Sequence, residues 1–268
     1  MSRRCANFRS RLRCGKATLT IKRAKTAKAS IPPVVDLPPL AQQPKNAVTL
    51  VKFANETILA TARALVLEGH RDLVLERHGD LVLERHCALA LKFANGVELT
   101  GLLRGATTQE EMHCRTSASS ATIFNDPIHD FHRTNTPPAS NDWAILSPNV
   151  PVFCDDEGME YDKRCSPRFL TCAPPYAPAI GRWGAEPMLC ERIHRFLDVV
   201  QADEYDSASL GVWGCGVFAN DPLQTAKNFR DSHEGEFAAA FQRTVFGIAD
   251  WPTQQSYFHQ FCDVFSER

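Results

Sequence analysis

Two short stretches of the chain hold residue types that can do chemistry. The first is Gln109-Glu110-Glu111, two adjacent carboxylates behind Thr107-Thr108, either of which reads as the cap of a helix. Carboxylates in a first helical turn are favoured by the helix dipole, so the same residues also fit a plain solvated helix start. Cleaving a glycosidic bond usually takes two carboxyl groups on opposite sides of it, roughly 5–9 Å apart. Neighbours on a helix point about 100° apart, so one of this pair can address a scissile bond only if the other meets a different part of the ligand.

The second stretch runs from Ser209 to Pro222, Ser-Leu-Gly-Val-Trp-Gly-Cys-Gly-Val-Phe-Ala-Asn-Asp-Pro. Ala208, Leu210 and Val212 read as the end of a buried strand, and Gly211, Gly214 and Gly216 as places where the backbone turns tightly through positive φ. Asn220 or Asp221 can cap a following helix, with Pro222 in its first turn. A strand, a glycine loop and a helix start together make an anion cradle of amide N–H groups. No Lys or Arg lies between Ser207 and Thr225, so a phosphate here is held by main chain. The spacing matches neither the Gly-Lys-Ser/Thr phosphate loop nor the Gly-x-Gly-x-x-Gly dinucleotide fingerprint. A glycine-rich turn that binds nothing fits the same composition.

These stretches need a frame to hold them. Val48 to Phe53 reads as a strand, Glu56 to Leu67 as a helix with apolar residues at helical spacing, and Cys87 to Asn95 as a central strand of a parallel sheet. The loop from Gly96 to Gly105 then leaves the carboxyl end of that strand, where open α/β sheets bind ligands. Phe124 to Asp142 is polar, contains prolines and lacks a period, which predicts a long loop or lid. A helix is expected from Pro187 to Val200, a strand from Thr244 to Ala249 and a terminal helix from Gln255 to Phe265. Residues 64–71, 72–79 and 80–87 are three near-identical octads built on Leu-Val-Leu-Glu. Eight residues advance a helix by about 80° beyond two turns, so the repeats wind around a helix without forming one face and read as a local duplication. His70, His78 and His86 share no face for a metal.

At 268 residues and 44% hydrophobic, the chain can build one large α/β domain, and it has no apolar run of membrane-spanning length. Its formal charge of −1 conceals an asymmetry. Ten cations precede the first acid, Asp36, leaving 20 basic against 31 acidic residues in the remainder. Such a body does not attract a polyanion by net charge, so a phosphate site must work by local geometry. Residues 1–45 read as a disordered basic tail, and the arm is compatible with nucleic-acid binding, nuclear targeting or mitochondrial transit. The ten cysteines include no Cys-x-x-Cys and read as reduced thiols of an intracellular protein, cytoplasmic or nuclear, or mitochondrial if the arm is a transit peptide.

Three motifs together resemble the microbial-type poly(ADP-ribose) glycohydrolases of the macrodomain superfamily. Trp213-Gly-Cys-Gly-Val-Phe218 is similar to the phosphate loop of that family. Lys92-Phe-Ala-Asn95 with Leu102-Leu-Arg-Gly-Ala-Thr-Thr-Gln-Glu-Glu111 is similar to its signature, and Phe169-Leu-Thr-Cys-Ala-Pro-Pro175 to its strand ending in Ala-Ala-Pro. Pro148 to Asp155 resembles a further segment, with Cys154 where the family has Arg. The chain departs where the family writes Pro-Gly-Gly-Gly, having Leu99-Thr100-Gly101. The resemblance implies a three-layer α/β/α macrodomain with a mixed, mostly parallel sheet over residues 46–268, the octads at about 64–87 being an insertion. It implies hydrolysis of ribose–ribose bonds in poly(ADP-ribose), on the free polymer or on ADP-ribosylated proteins, with no metal or cofactor and no membrane partner. Glu111 is then the proton donor and Glu110 the partner of a ribose hydroxyl. Asn95, Gly101 and Gln109 bind ligand, with Gly214, Cys215, Gly216 and Val217 on the diphosphate and Phe218 beside the distal ribose. Leu99 and Thr100 crowd the backbone that glycines would open, so a macrodomain that binds ADP-ribose and hydrolyses it poorly is the alternative.

Overall fold

The structure, a computed structural model, describes residues 29–31, 46–72, 88–95, 108–124, 126–135, 142–202, 205–250 and 256–267. Its strands are β1 (Ala29–Ile31), β2 (Leu50–Ala54), β3 (Ala88–Phe93), β4 (Ala144–Ser147), β5 (Val152–Cys154), β6 (Glu160–Cys165), β7 (Arg168–Cys172), β8 (Ser207–Leu210) and β9 (Arg243–Gly247). The helices are α1 (Ile58–Asp72), α2 (Gln109–Thr116), α3 (Ser119–Ile123), α4 (Pro127–Asn135), α5 (Ala177–Ile180), α6 (Arg182–Ala202), α7 (Pro222–Glu234) and α8 (Ser256–Ser266).

Seven strands form one sheet in the order β1-β4-β7-β3-β8-β9-β2, parallel from β7 to β2, with β4 antiparallel to β7 and β1 antiparallel to β4. β5 and β6 make a separate ribbon. The expected mixed, mostly parallel sheet is therefore present, and the apolar run of β3 lies inside it between two parallel neighbours. Strand alternation divides the core. Leu89 and Leu91 of β3, Leu170 of β7 and Leu210 of β8 pack with Ile193, Phe196 and Phe229 of α6 and α7. Ala90 and Phe169 face the opposite way, onto Ile58, Leu59 and Ala62 of α1. That second face is also polar: Ser209 and Thr61 hydroxyls lie 2.7 Å apart between β8 and α1.

Several local expectations are corrected. Phe124–Asp142 is not one long loop, because α4 occupies Pro127–Asn135. Pro127 starts it, the Asp126 carboxylate accepts from the Ile128 amide at 3.2 Å, and Ile128 and His129 are buried, so the missed signal was an Asp-Pro helix start. Helix α6 begins at Arg182, with Pro187 inside it. The carbonyl deprived of its i+4 donor by Pro187 is that of Trp183, a residue 91% exposed. Ala29–Ile31 lie within the segment read as a tail, yet they pair with β4, and the Ser30 hydroxyl donates to Asp126. Of the octads, the first lies within α1, and residues 73–87 lie outside the described residues.

Candidate active site

The carboxylate pair is tied to the end of the central strand by its own side chains. Gln109 Oε1 accepts the Phe93 amide at 2.8 Å and Glu110 Oε2 the Asn95 amide at 3.1 Å. Backbone donors that leave the sheet at β3 are thus satisfied by the first turn of α2, which fixes the helix against the strand. Gln109 is consequently a strut through its oxygen, while its Nε2 is buried with no partner among the described residues. Thr108 occupies the N-cap position but makes no side-chain cap bond, correcting that expectation; its hydroxyl donates to Glu111 Oε2 instead.

Both glutamates are 4% exposed. Burial pushes the Glu110 pKa from 4.5 up to about 7, opposed by Lys92 and the Asn95 amide and assisted by Glu111. Glu110, whose carboxyl is thereby made a weaker acid, has no partner for its Oε1 among the described residues. His113 is wholly buried beside Phe169, with ring centroids 5.3 Å apart, and burial lowers its pKa to about 3, leaving it neutral.

The opposite wall is the glycine loop after β8. Only Gly214 of its three glycines has positive φ, at +79°, and Ala219 takes the other left-handed turn at 52°. A Cβ on Gly214 would meet Asn220 Nδ2 at 2.5 Å and Pro174 Cβ at 2.8 Å. Gly211 is required for room, since a Cβ there would lie 2.6 Å from Ile58 Cδ1; Gly216 has open space and no special φ, which corrects the expectation for those two. Asn220 staples the loop, its Nδ2 donating to the Pro175 and Gly214 carbonyls at 2.9 and 3.1 Å. Asp221, not Asn220, caps α7 by accepting the Gln224 amide at 3.0 Å. The amides of Gly216, Val217 and Phe218 donate to no other described residue.

These two walls enclose one cleft of ≈ 710 Å³. Asn95, Gln109, Glu110 and Glu111 line it from the β3 side, and Gly214, Gly216, Val217 and Phe218 from the β8 side. The structure therefore brings together eight of the ten residues singled out from the sequence. Cys215 is not a lining residue, because its Sγ turns away to Thr225 Oγ1 at 3.4 Å and Trp213 O at 3.6 Å. Gly101 lies outside the described residues, as do Leu99 and Thr100. Phe218 is braced edge-on by Tyr176, with centroids 5.6 Å apart.

The far end of the cleft was not read from the sequence. Thr57, Asp156, Ile248 and Tyr257 line it, and the Thr57 hydroxyl donates to Asp156 Oδ2 at 2.6 Å. Asp156 is the residue after the Pro148–Asp155 segment, so the motif ended one position short of it. Among the described residues no group of three or more His, Cys, Asp or Glu side chains is arranged to hold a metal, and no helix is long and apolar enough to cross a membrane.

Comparison with known proteins agrees with this geometry. The family model of the microbial-type PARG catalytic domain, PARG being poly(ADP-ribose) glycohydrolase, matches residues 15–155. That span takes in the carboxylates and stops before the glycine loop. No curated protein matches. Among solved structures, PARG from Thermomonospora curvata is 30% identical with a TM-score of 0.78, over 92% of this chain and 88% of the other. PARG from Deinococcus radiodurans in complex with ADP-ribose is 26% identical with a TM-score of 0.77, over 92% and 96%. The same Thermomonospora enzyme bound to the inhibitor ADP-HPD is 29% identical with a TM-score of 0.75, over 91% and 87%. With the sheet order, the paired glutamates and the cation-free loop at one cleft, the chain belongs to the microbial-type poly(ADP-ribose) glycohydrolases.

Proposed function

We propose that this chain hydrolyses the ribose–ribose O-glycosidic bonds of poly(ADP-ribose) and releases ADP-ribose. The observation that carries this reading is the shared cleft, with a carboxylate pair on one wall and, on the other, main-chain amides that donate to no described residue. A diphosphate lies on the amides of Gly216, Val217 and Phe218, each charge-assisted bond contributing roughly 1.5–3 kcal/mol. No cation is needed near it, in keeping with the acidic body. Phe218, held by Tyr176, flanks the distal ribose.

Glu111 gives its proton to the departing ribose oxygen as the anomeric C–O bond breaks. As a carboxylate it then takes a proton from the water whose oxygen bonds to the anomeric carbon, so one water is consumed and the acid is restored. Glu110 anchors a ribose hydroxyl through Oε1, while Oε2 stays on the Asn95 amide. One observation favours exchanged roles: Glu110 is the carboxyl whose pKa burial raises to about 7.

Labelled polymer, the purified chain and the Glu111→Gln and Glu110→Gln variants test both points. A general acid contributes about 10²- to 10⁴-fold, so Glu111→Gln should lose that much turnover while ADP-ribose affinity persists, and Glu110→Gln should mainly raise KM. The opposite split transfers the acid to Glu110. ADP-ribose binding by a wild-type chain that releases none from polymer leaves a binding macrodomain, in line with Leu99 and Thr100 replacing glycines.

A further inference from the structure

Lys92 is the most anomalous side chain of the core. It sits on the central strand β3, is 0% exposed, and has as its recorded polar partner the thiol of Cys114, 3.6 Å from Nζ. Among the described residues it forms no ion pair. Lysine is almost never fully buried unless paired, because desolvating an ammonium is costly. A leucine here would simply have continued the apolar run of Ala88-Leu-Ala-Leu91. The position is not random: Lys92 points from β3 to α2, the helix whose first turn carries Glu110 and Glu111.

The groups facing this space can be named from each element. From α2 come Glu110, Glu111, a neutral His113 and Cys114, the last also receiving the Ser119 hydroxyl at 3.6 Å. From β7 comes Thr171, the register partner of Lys92, with its Oγ1 buried and without a partner among the described residues. Asp156 faces the same cleft from the other end. Lys92 is the cation that acts on Glu110, and its own contact is a thiol that burial keeps protonated. A carboxylate in place of that thiol would cancel the field of the ammonium; a neutral thiol leaves it acting on Glu110.

We propose that Lys92 is a positioning residue, a buried counter-charge one layer behind the cleft that favours the ionised form of Glu110, in which its unpaired oxygen accepts a hydrogen bond from a ribose hydroxyl. This rests on the glycohydrolase reading of the cleft. Burial alone drives the Glu110 pKa above about 7, and Lys92 is the largest influence opposing it.

The test uses the full chain, Lys92→Met and Glu110→Gln, singly and combined. ADP-ribose affinity of the wild type, followed by calorimetry, should fall with a midpoint near pH 7 as pH decreases. Lys92→Met should move that midpoint up by about one pH unit or more, weakening binding about fivefold or more at pH 7 with recovery toward pH 9. Glu110→Gln should flatten both profiles. Without ligand, the melting temperature of Lys92→Met should drop relative to wild type increasingly from pH 6 to 9, and that trend should vanish on the Glu110→Gln background. An unmoved midpoint, or a loss equal at every pH, overturns the proposal and makes Lys92 a packing residue. If ADP-ribose fails to bind while the ligand-free trend is present, the functional reading falls and the Lys92–Glu110 coupling stands; if the trend is absent, the coupling falls. Should Lys92→Met not fold, Lys92→Gln replaces it, and a wild-type profile that Glu110→Gln leaves unchanged overturns the proposal with no Lys92 variant.

Discussion

Replacing Glu110 with glutamine should stabilise the folded chain by an amount that grows with pH. The carboxyl is 4% exposed and its folded pKa is about 7 against 4.5 in the open. Because the folded value is the higher one, the folded state holds the extra proton between these limits, and stability falls as pH rises through that window. At about 1.4 kcal/mol per pH unit, a rise from 4.5 to about 7 comes to roughly 3 kcal/mol, absent below pH 4.5 and complete above pH 7. Glutamine carries no such penalty and still presents an oxygen to the Asn95 amide. The buried histidines work in the opposite sense: His113, lowered to about 3, and His233, lowered to about 4, favour the folded state above pH 6.5 and lose that contribution as pH falls. They are common to both proteins and cancel in the difference. Urea unfolding of wild type and Glu110→Gln from pH 4 to 8.5 gives that difference directly, and a 3 kcal/mol gain corresponds to roughly 6–12 °C in Tm for a chain of this size. A difference that stays constant across the range would falsify the claim that this carboxylate is desolvated in the fold.

Two further substitutions test other parts of the site. Gly214→Ala combines a left-handed backbone, costing roughly 1–2 kcal/mol, with contacts of 2.5 and 2.8 Å on Asn220 and Pro174. It should displace the staple that holds the loop and weaken ADP-ribose binding at least about tenfold, whereas Gly216→Ala, with nothing within 4 Å of its Cβ, should fold normally; equal effects at the two positions, read by calorimetry, refute this account of the loop. His113→Leu removes two buried ring nitrogens that have no partner among the described residues. It should raise stability by roughly 1–3 kcal/mol, most at acid pH where His113 would otherwise draw a proton on unfolding, and a lower denaturation midpoint at pH 5 would count against it.

The parts of this protein that could be read directly are those governed by near neighbours along the chain. The apolar run at Ala88–Leu91 marks a strand buried on both faces, and it is the centre of the sheet. Asn220-Asp221-Pro222 marks a helix start, and it is one, with Asp221, one of the two candidate caps, accepting the Gln224 amide. Glu110, Glu111 and the Gly214–Phe218 loop stand out because each motif is contiguous and together they resemble the glycohydrolase motifs, and Glu110, Glu111, Gly214, Gly216, Val217 and Phe218 do line one cleft. The same local reading passed over Asp126-Pro127, whose capping carboxylate is held by the Ser30 hydroxyl of β1, far away in the chain.

What the order of residues determined by itself is which groups are available: two adjacent carboxyls, a glycine loop without cations, and a lysine placed in an apolar strand. Tertiary structure decided which of those groups act on one another. Gln109 has its oxygen on the Phe93 amide and Cys215 turns its thiol from the cleft, although both sit inside motifs that read as ligand contacts. The pKa of Glu110 is raised by its burial and held back by the Lys92 charge, two influences that come from elements far apart in the chain. Desolvation and Coulomb interactions depend on distance through the folded protein, and a linear sequence carries no measure of that distance until the sheet brings its loops to one edge.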